Sequence, residues 1–200
     1  MAPASLRVGI FGGTFDPPHV GHVVVARDVA DRLSLDRVLW VPARVSPHKL
    51  DRPVSRPALR LEMVRAAAAE DPRFQVSEAE LERSGPSYTV DTLRELRALW
   101  PSAGLFLILG ADQLRVFASW REPGEILRLA TLALMDREGE ATTGVAPALP
   151  GMERAVHVPV TRVDVSATRV RAAVAAGEDV SGMVPAGVRA VIERERLYRG

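Results

Sequence analysis

Residues 6–22 read Leu-Arg-Val-Gly-Ile-Phe-Gly-Gly-Thr-Phe-Asp-Pro-Pro-His-Val-Gly-His. The first six residues form a short apolar run, the mark of a buried strand, and Gly12-Gly13 break it. Residues 20–33 then place Val23, Ala26, Val29, Ala30 and Leu33 at helical spacing, with Arg27, Asp28, Asp31 and Arg32 between them. A strand, a glycine turn and a helix in this order put residues 12–22 at the carboxyl edge of a sheet, where open α/β folds hold their ligands. Two glycines allow the backbone to approach a ligand closely. His19 and His22 are three residues apart at a helix start, so both imidazoles share one side of the first turn. Helix N-terminal N–H groups and the positive end of the helix dipole face the same space. The expected product is an anion pocket with two imidazole donors. Two histidines are also half of a metal site, but no third ligand is evident nearby, and a helix N-terminus favours anions over cations.

Outward from this loop the alternation continues. Residues 38–41, 74–76, 105–109 and 132–135 read as strands, and residues 58–70, 89–100 and 126–129 as helices or helix ends. Short apolar strands separated by amphipathic helices predict a doubly wound parallel sheet covered on both faces. Residues 43–57 form a loop with Pro47, Pro53 and Pro57, long for a compact domain. Residues 138–153 read as a variable surface loop. Residues 166–176 and 185–196 read as two final helices, the first closed by Gly177 and the second opened by Pro185. The expectation is one domain over residues 1–200, with an α/β core over about 6–160 and a small C-terminal helical part over about 161–200.

Composition narrows the function classes. The chain has 200 residues, 47% hydrophobic and 26% charged, enough for a real core and typical of globular proteins. A net charge of +1 with no long basic run argues against a nucleic-acid-binding protein. There is no cysteine, which excludes disulfides, thiolate metal sites and cysteine nucleophiles. No apolar run approaches the roughly 18 residues that span a bilayer, and residues 1–7 lack the layout of a secretion signal. No membrane association and a cytoplasmic location are therefore expected. Lys49 is the only lysine, beside His48 in the proline-containing loop. An isolated lysine is commonly a solvated surface group, yet a point charge on a flexible stem in a long loop also suits a phosphate.

The string Gly12–His22 resembles the signature of the HxGH nucleotidyltransferase superfamily, with His19-Val20-Gly21-His22 as its tetrad. Four further segments are similar to the nicotinate mononucleotide adenylyltransferase family. They are Pro47-His48-Lys49, Ser87-Tyr88-Thr89-Val90-Asp91-Thr92-Leu93, Gly110-Ala111-Asp112-Gln113-Leu114 with Trp120 beyond, and Val165-Ser166-Ala167-Thr168-Arg169-Val170-Arg171. Val184-Pro185 and the ending Leu197-Tyr198 support the match, which runs in order along almost the whole chain.

The resemblance implies a Rossmann-like fold and transfer of the adenylyl group of ATP to nicotinate mononucleotide, with release of pyrophosphate. It implies catalytic roles for His19, His22 and Lys49. It implies ATP contacts from Gly12, Gly13, Thr14, Phe15, His19, His22, Asp112, Ser166, Thr168 and Arg171. Lys49, Tyr88, Thr89, Trp120 and Arg137 are the implied acceptor contacts, with the nicotinate carboxylate near Thr89 and the Trp120–Arg121 stretch. Mg²⁺ is expected as the counterion of the ATP phosphates, with no protein metal site.

The residues also have plainer readings. Ser87 and Thr89 suit a helix cap, Asp112 the cap of a following short helix, and Trp120 a buried core position. Arginines in the first turns near Ser166 oppose the helix dipole, and a phosphate bound there would reverse that sign. The chain has Arg137-Glu138-Gly139 where the family shows Arg-Pro-Gly, which adds an acid beside Arg137. The alternatives are a nicotinamide mononucleotide or pantetheine-phosphate adenylyltransferase, and a nucleotide-sensing module without turnover.

Overall fold

The computed structural model describes residues 5–44, 54–137 and 149–199. Six strands form one sheet: β1 (Arg7–Gly13), β2 (Arg37–Pro42), β3 (Phe74–Val76), β4 (Gly104–Gly110), β5 (Thr131–Arg137) and β6 (Val156–Val160). The helices are α1 (Val20–Arg32), α2 (Pro57–Ala68), α3 (Ala79–Glu82), α4 (Thr89–Leu99), α5 (Ala111–Val116), α6 (Pro123–Leu129), α7 (Ala167–Ala175) and α8 (Ala186–Arg194). The strand order is β3-β2-β1-β4-β5-β6, the doubly wound order in which chain direction across the sheet reverses beside β1. β1 pairs in parallel with β4 through Val8 with Leu105 and Ile10 with Leu107, and β4 and β5 continue the parallel ladder to β6. The fold is the Rossmann-like parallel sheet expected from the sequence, and the loop after β1 leaves it at the switch point.

Contacts divide the chain into two compact units. The first holds residues 1–12, 25–39 and 88–161. Its core is built from Val8, Ile10, Leu105, Leu107, Ile108, Leu109, Leu132, Ala133 and Leu134 on the strands, with Val29 and Leu93 from the helices, all at most 2% exposed. The second holds residues 13–24, 40–87 and 162–200. There Trp40, Met63, Val64, Ala67, Val170 and Val188 are fully buried. Helices α2 and α8 pack so closely that a Cβ on Gly187 would lie 3.1 Å from that of Ala66, and Arg194 pairs with Glu62 at 2.7 Å.

Two elements escaped the sequence reading: β6 and α3. β6 has only two buried residues of five and contains Pro159, so it shows no continuous apolar run. It lies at the sheet edge, where a proline is tolerated. Pro57, read as the end of the loop, is the first residue of α2, where its fixed φ suits the first helical position. Gly177 does close α7 with a left-handed φ of 72°, and Glu178 N–H reaches the Ala173 carbonyl at 2.9 Å, as the termination motif requires. The proline-containing stretch 45–53 and the stretch 138–148 lie outside the described residues. Among the described residues no helix is long and apolar enough to cross a membrane.

Candidate active site

In the second unit the glycine turn becomes a tightly packed loop. Phe15 adopts a positive φ of 49°, sparsely populated for a residue with a Cβ, and its ring is 3% exposed. That ring folds back over Gly13, where an added Cβ would meet it at 2.9 Å; only glycine leaves the space. On its other sides the ring meets Trp40 at 5.2 Å between centroids and His22, edge-on, at 5.1 Å. The Phe15 ring therefore wedges the loop against a buried tryptophan and braces His22. The Asp16–Pro17 peptide that follows is cis.

His19 and His22 come together as expected. Their rings stack at 3.7 Å with an interplanar angle of 28°. His19 N–H donates to Nδ1 of His22 at 3.1 Å, so the neutral His22 ring carries its proton on Nε2. That leaves Nε2–H as a donor fixed in direction by the first turn of α1. Gly21 makes the stack possible: a Cβ there would sit 3.1 Å from His19 Nδ1 and equally close to Val165. The α1 N-terminus offers less than the sequence implied, because Val20 N–H donates to the Met183 carbonyl at 2.9 Å. The Met183 carbonyl thus completes the helix start.

The start of α7 belongs to the same unit. Ser166 is its N-cap, accepting from Arg169 N–H at 3.2 Å. Arg171 reaches back to donate to the Asp16 carbonyl at 2.7 Å and to the Thr168 hydroxyl at 3.3 Å. The structure therefore brings Thr168 and Arg171 to the loop of Thr14, Phe15, His19 and His22. Arg169 turns instead to the Asp164 carbonyl at 2.9 Å.

Three residues of this unit went unassigned in the sequence. Arg60 of α2 is fully buried and donates to the carbonyls of Ser55, Thr14, Ala43 and Arg44 at 3.1, 2.9, 2.7 and 3.1 Å. Burial lowers its pKa from the usual arginine value, and the charge of Asp16 opposes that shift. Asp16, 5% exposed, accepts from the Tyr198 hydroxyl at 2.6 Å and from Ser55 N–H at 3.1 Å. Burial first, and then the bond to Asp16, push the Tyr198 phenol above its ordinary range. An arginine within a helical pattern reads as part of the polar face, and nothing in its spacing marks it as a buried hub.

The first unit carries Tyr88, Thr89, Asp112 and Trp120. Helix α4 starts at Thr89 with Tyr88 as its N-cap and no side-chain cap, which corrects the reading of Ser87 and Thr89 as capping residues. Ser87 instead accepts from Arg44 N–H at 3.1 Å. The Arg121 guanidinium covers the Tyr88 ring at 4.8 Å. Trp120 is half-buried beside Phe117, with 5.5 Å between ring centroids, rather than sunk in the core. Glu122, at a positive φ of 52°, bonds Arg94 of α4 at 2.5 Å and ties this turn to that helix. Helix α5 begins at Ala111 with Gly110 as N-cap, so Asp112 is not the cap; its side chain is 97% exposed and pairs with Arg115 at 2.5 Å. Gly12 is exposed, with no atom within 4 Å of an added Cβ. Lys49 and the side chain of Arg137 lie outside the described residues.

Residues 10–173 match the family model described as cytidylyltransferase-like. The chain is 44% identical over 198 residues to a probable nicotinate-nucleotide adenylyltransferase of Thermus thermophilus, covering 97% of this chain and all of the relative. It is 42% identical over 211 residues to the protein of the same description from Chromobacterium violaceum, covering 96% and 99% of the two chains. The chain belongs to the nicotinate-nucleotide adenylyltransferase family. Among solved structures, the fold of the family recurs in a Plasmodium falciparum nicotinic acid mononucleotide adenylyltransferase complexed with NaAD. That match has a TM-score of 0.77 at 17% identity and covers 96% of this chain and 97% of the other. A putative nicotinate-nucleotide adenylyltransferase from Vibrio parahaemolyticus matches with a TM-score of 0.66 at 22% identity, covering 97% and 96%.

Proposed function

We propose that the chain transfers the adenylyl group of ATP to nicotinate mononucleotide, giving nicotinate adenine dinucleotide and pyrophosphate in NAD biosynthesis. The observation that carries this reading is the stacked His19–His22 pair beside the wedged Gly13–Asp16 loop and Arg171, within a chain of the nicotinate-nucleotide adenylyltransferase family. In this reading the phosphate oxygen of nicotinate mononucleotide attacks the α-phosphorus of ATP in line, and the bond to the pyrophosphate oxygen breaks. The attacking oxygen arrives ionised, so no general base is needed and the protein acts by positioning and charge stabilisation. His22 donates through Nε2–H to the phosphates, His19 lies against it, and Thr14, Ser166, Thr168 and Arg171 surround the triphosphate with the Gly12–Gly13 backbone. Lys49 supplies a further charge and Phe15 holds the loop.

Tyr88, Thr89 and Trp120 take the acceptor: Trp120 stacks on the pyridine ring, and the uncapped start of α4 receives its carboxylate. Arg137 binds the acceptor phosphate and Asp112 the nucleotide ribose. Mg²⁺ enters as the counterion of the ATP phosphates, held by phosphate oxygens and water. The chain works as one nucleotidyltransferase domain in the cytoplasm, without nucleic-acid or membrane partners.

The test follows the label. With ATP labelled at the α-phosphate and unlabelled nicotinate mononucleotide, label should appear in the dinucleotide, with none in pyrophosphate and none on the protein. Label trapped on the protein would overturn the direct transfer.

A further inference from the structure

Two buried charges in the second unit have no part in the transfer as described. Arg60 has no exposed surface, and all four of its hydrogen bonds go to backbone carbonyls. Asp16 uses both carboxylate oxygens and its carbonyl, on Tyr198, Ser55 N–H and Arg171. Such a cluster of buried charges is weak evidence for stability, because apolar residues of similar volume often stabilise as well or better. Its geometric effect is large. Five chain segments that meet nowhere in sequence converge on these groups: residues 14–16, residues 43–44, Ser55, Arg171 of α7, and the C-terminal turn at Tyr198. Tyr198 itself sits at a positive φ of 62°, a conformation unfavourable for a residue with a Cβ, and its hydroxyl reaches Asp16 at 2.6 Å.

We propose that Arg60, Asp16 and Tyr198 are positioning residues that hold Thr14 and the Arg171 guanidinium in register for the triphosphate. Arg60 fixes Thr14 through its carbonyl and joins it to the segments on either side of residues 45–53. Asp16 orients Arg171 through its own carbonyl, and Tyr198 fixes Asp16. The turn at Tyr198 is thereby part of the phosphate site, through a hydroxyl that bonds Asp16 and, at 3.9 Å, the Met63 sulfur. This inference rests on the ATP reading given above.

Tyr198→Phe tests it with the least disturbance, since it removes one hydroxyl and keeps the ring. A hydrogen bond to a charged acceptor corresponds to about a tenfold effect or more. In the full-length protein, kcat of Tyr198→Phe should fall about tenfold, well below its thermal midpoint, with KM for nicotinate mononucleotide unchanged. Arg171→Lys in the same background gives the decisive comparison: the loss from Tyr198→Phe should shrink if the two residues act through one path. Arg60→Lys keeps the charge but cannot hold four carbonyls, and should lose more than Tyr198→Phe. If that variant does not fold, the Tyr198–Arg171 cycle decides alone. A lowered thermal midpoint with wild-type kcat, or full additivity in the cycle, would overturn the proposal. Should the wild-type protein transfer no adenylyl group, the activity reading falls, and affinity for α,β-methylene-ATP decides this one. Binding about tenfold weaker in Tyr198→Phe supports it; equal affinity, or no binding to wild type, overturns it.

Discussion

Gly13→Ala isolates the packing of the phosphate loop. The φ of Gly13 is not in the left-handed region, so alanine meets no backbone penalty and the whole effect is steric. The new methyl would sit 2.9, 3.0 and 3.1 Å from three atoms of the Phe15 ring. Ordinary carbon contacts lie at about 3.5–4.0 Å, so the ring must retreat by roughly half an ångström or more. It has nowhere easy to go, because Trp40 behind it is fully buried and His22 lies edge-on at 5.1 Å. Overpacking of this kind costs about 1–3 kcal/mol. Taking about 2 kcal/mol, the thermal midpoint should fall by about 4–8 °C for a chain of this size. The displaced ring carries His22 with it, and a misplacement of about 1 Å can cost a factor of roughly a hundred, so kcat should fall about tenfold. Gly12→Ala is the control. No atom lies within 4 Å of its Cβ, so the midpoint should hold while KM for ATP rises, if the phosphates approach that backbone. Thermal unfolding and pyrophosphate release on both variants read the contrast. A Gly13→Ala protein with wild-type midpoint and kcat would refute the account of the loop.

His19→Ala and His22→Ala should each lower kcat by orders of magnitude in folded protein; wild-type turnover in both, with unaltered circular dichroism, would remove them from the mechanism. Trp120→Ala should raise KM for nicotinate mononucleotide and leave KM for ATP alone, since Trp120 is half-buried and its loss opens no core cavity; steady-state kinetics with each substrate varied would show an equal rise in both if the assignment is wrong. Burial and the bond to Asp16 raise the Tyr198 phenol in the folded protein, whereas the unfolded chain ionises it near 10.0. Its contribution to stability is therefore complete below pH 10 and is lost as pH rises beyond it, with a slope of up to about 1.4 kcal/mol per pH unit. Denaturant unfolding at pH 9 and pH 11 should show a smaller pH effect in Tyr198→Phe than in wild type, and equal effects would contradict the burial argument.

The loop between β1 and α1 was legible because its residue types have few other uses: paired glycines after an apolar run, then two histidines at helix spacing. The same logic found most strands and helices, whose apolar periodicity is strong. β6 was not legible because it is a half-exposed edge strand with a proline, and hydrophobic pattern is the signal it lacks. In the site, the Ser166 cap follows from local sequence, and Arg171 was placed by the family resemblance. The link of Arg171 to Asp16 spans 155 positions and leaves no local trace. Arg60 is the clearest case. Its importance lies in four carbonyls from separate segments, and backbone carbonyls are the same for every residue type. The cap expected from Ser87 failed for a similar reason, since its hydroxyl found a partner, Arg44 N–H, that only the folded chain supplies.

The choice of acceptor defines the reaction. Pyrophosphate release from magnesium-ATP should be compared with nicotinate mononucleotide, nicotinamide mononucleotide and phosphopantetheine as acceptors, at matched concentrations. Strong preference for nicotinate mononucleotide is expected. Preference for either of the others would contradict the roles given to Thr89 and Trp120, and no release with any acceptor, from folded protein that still binds ATP, would contradict the enzyme itself.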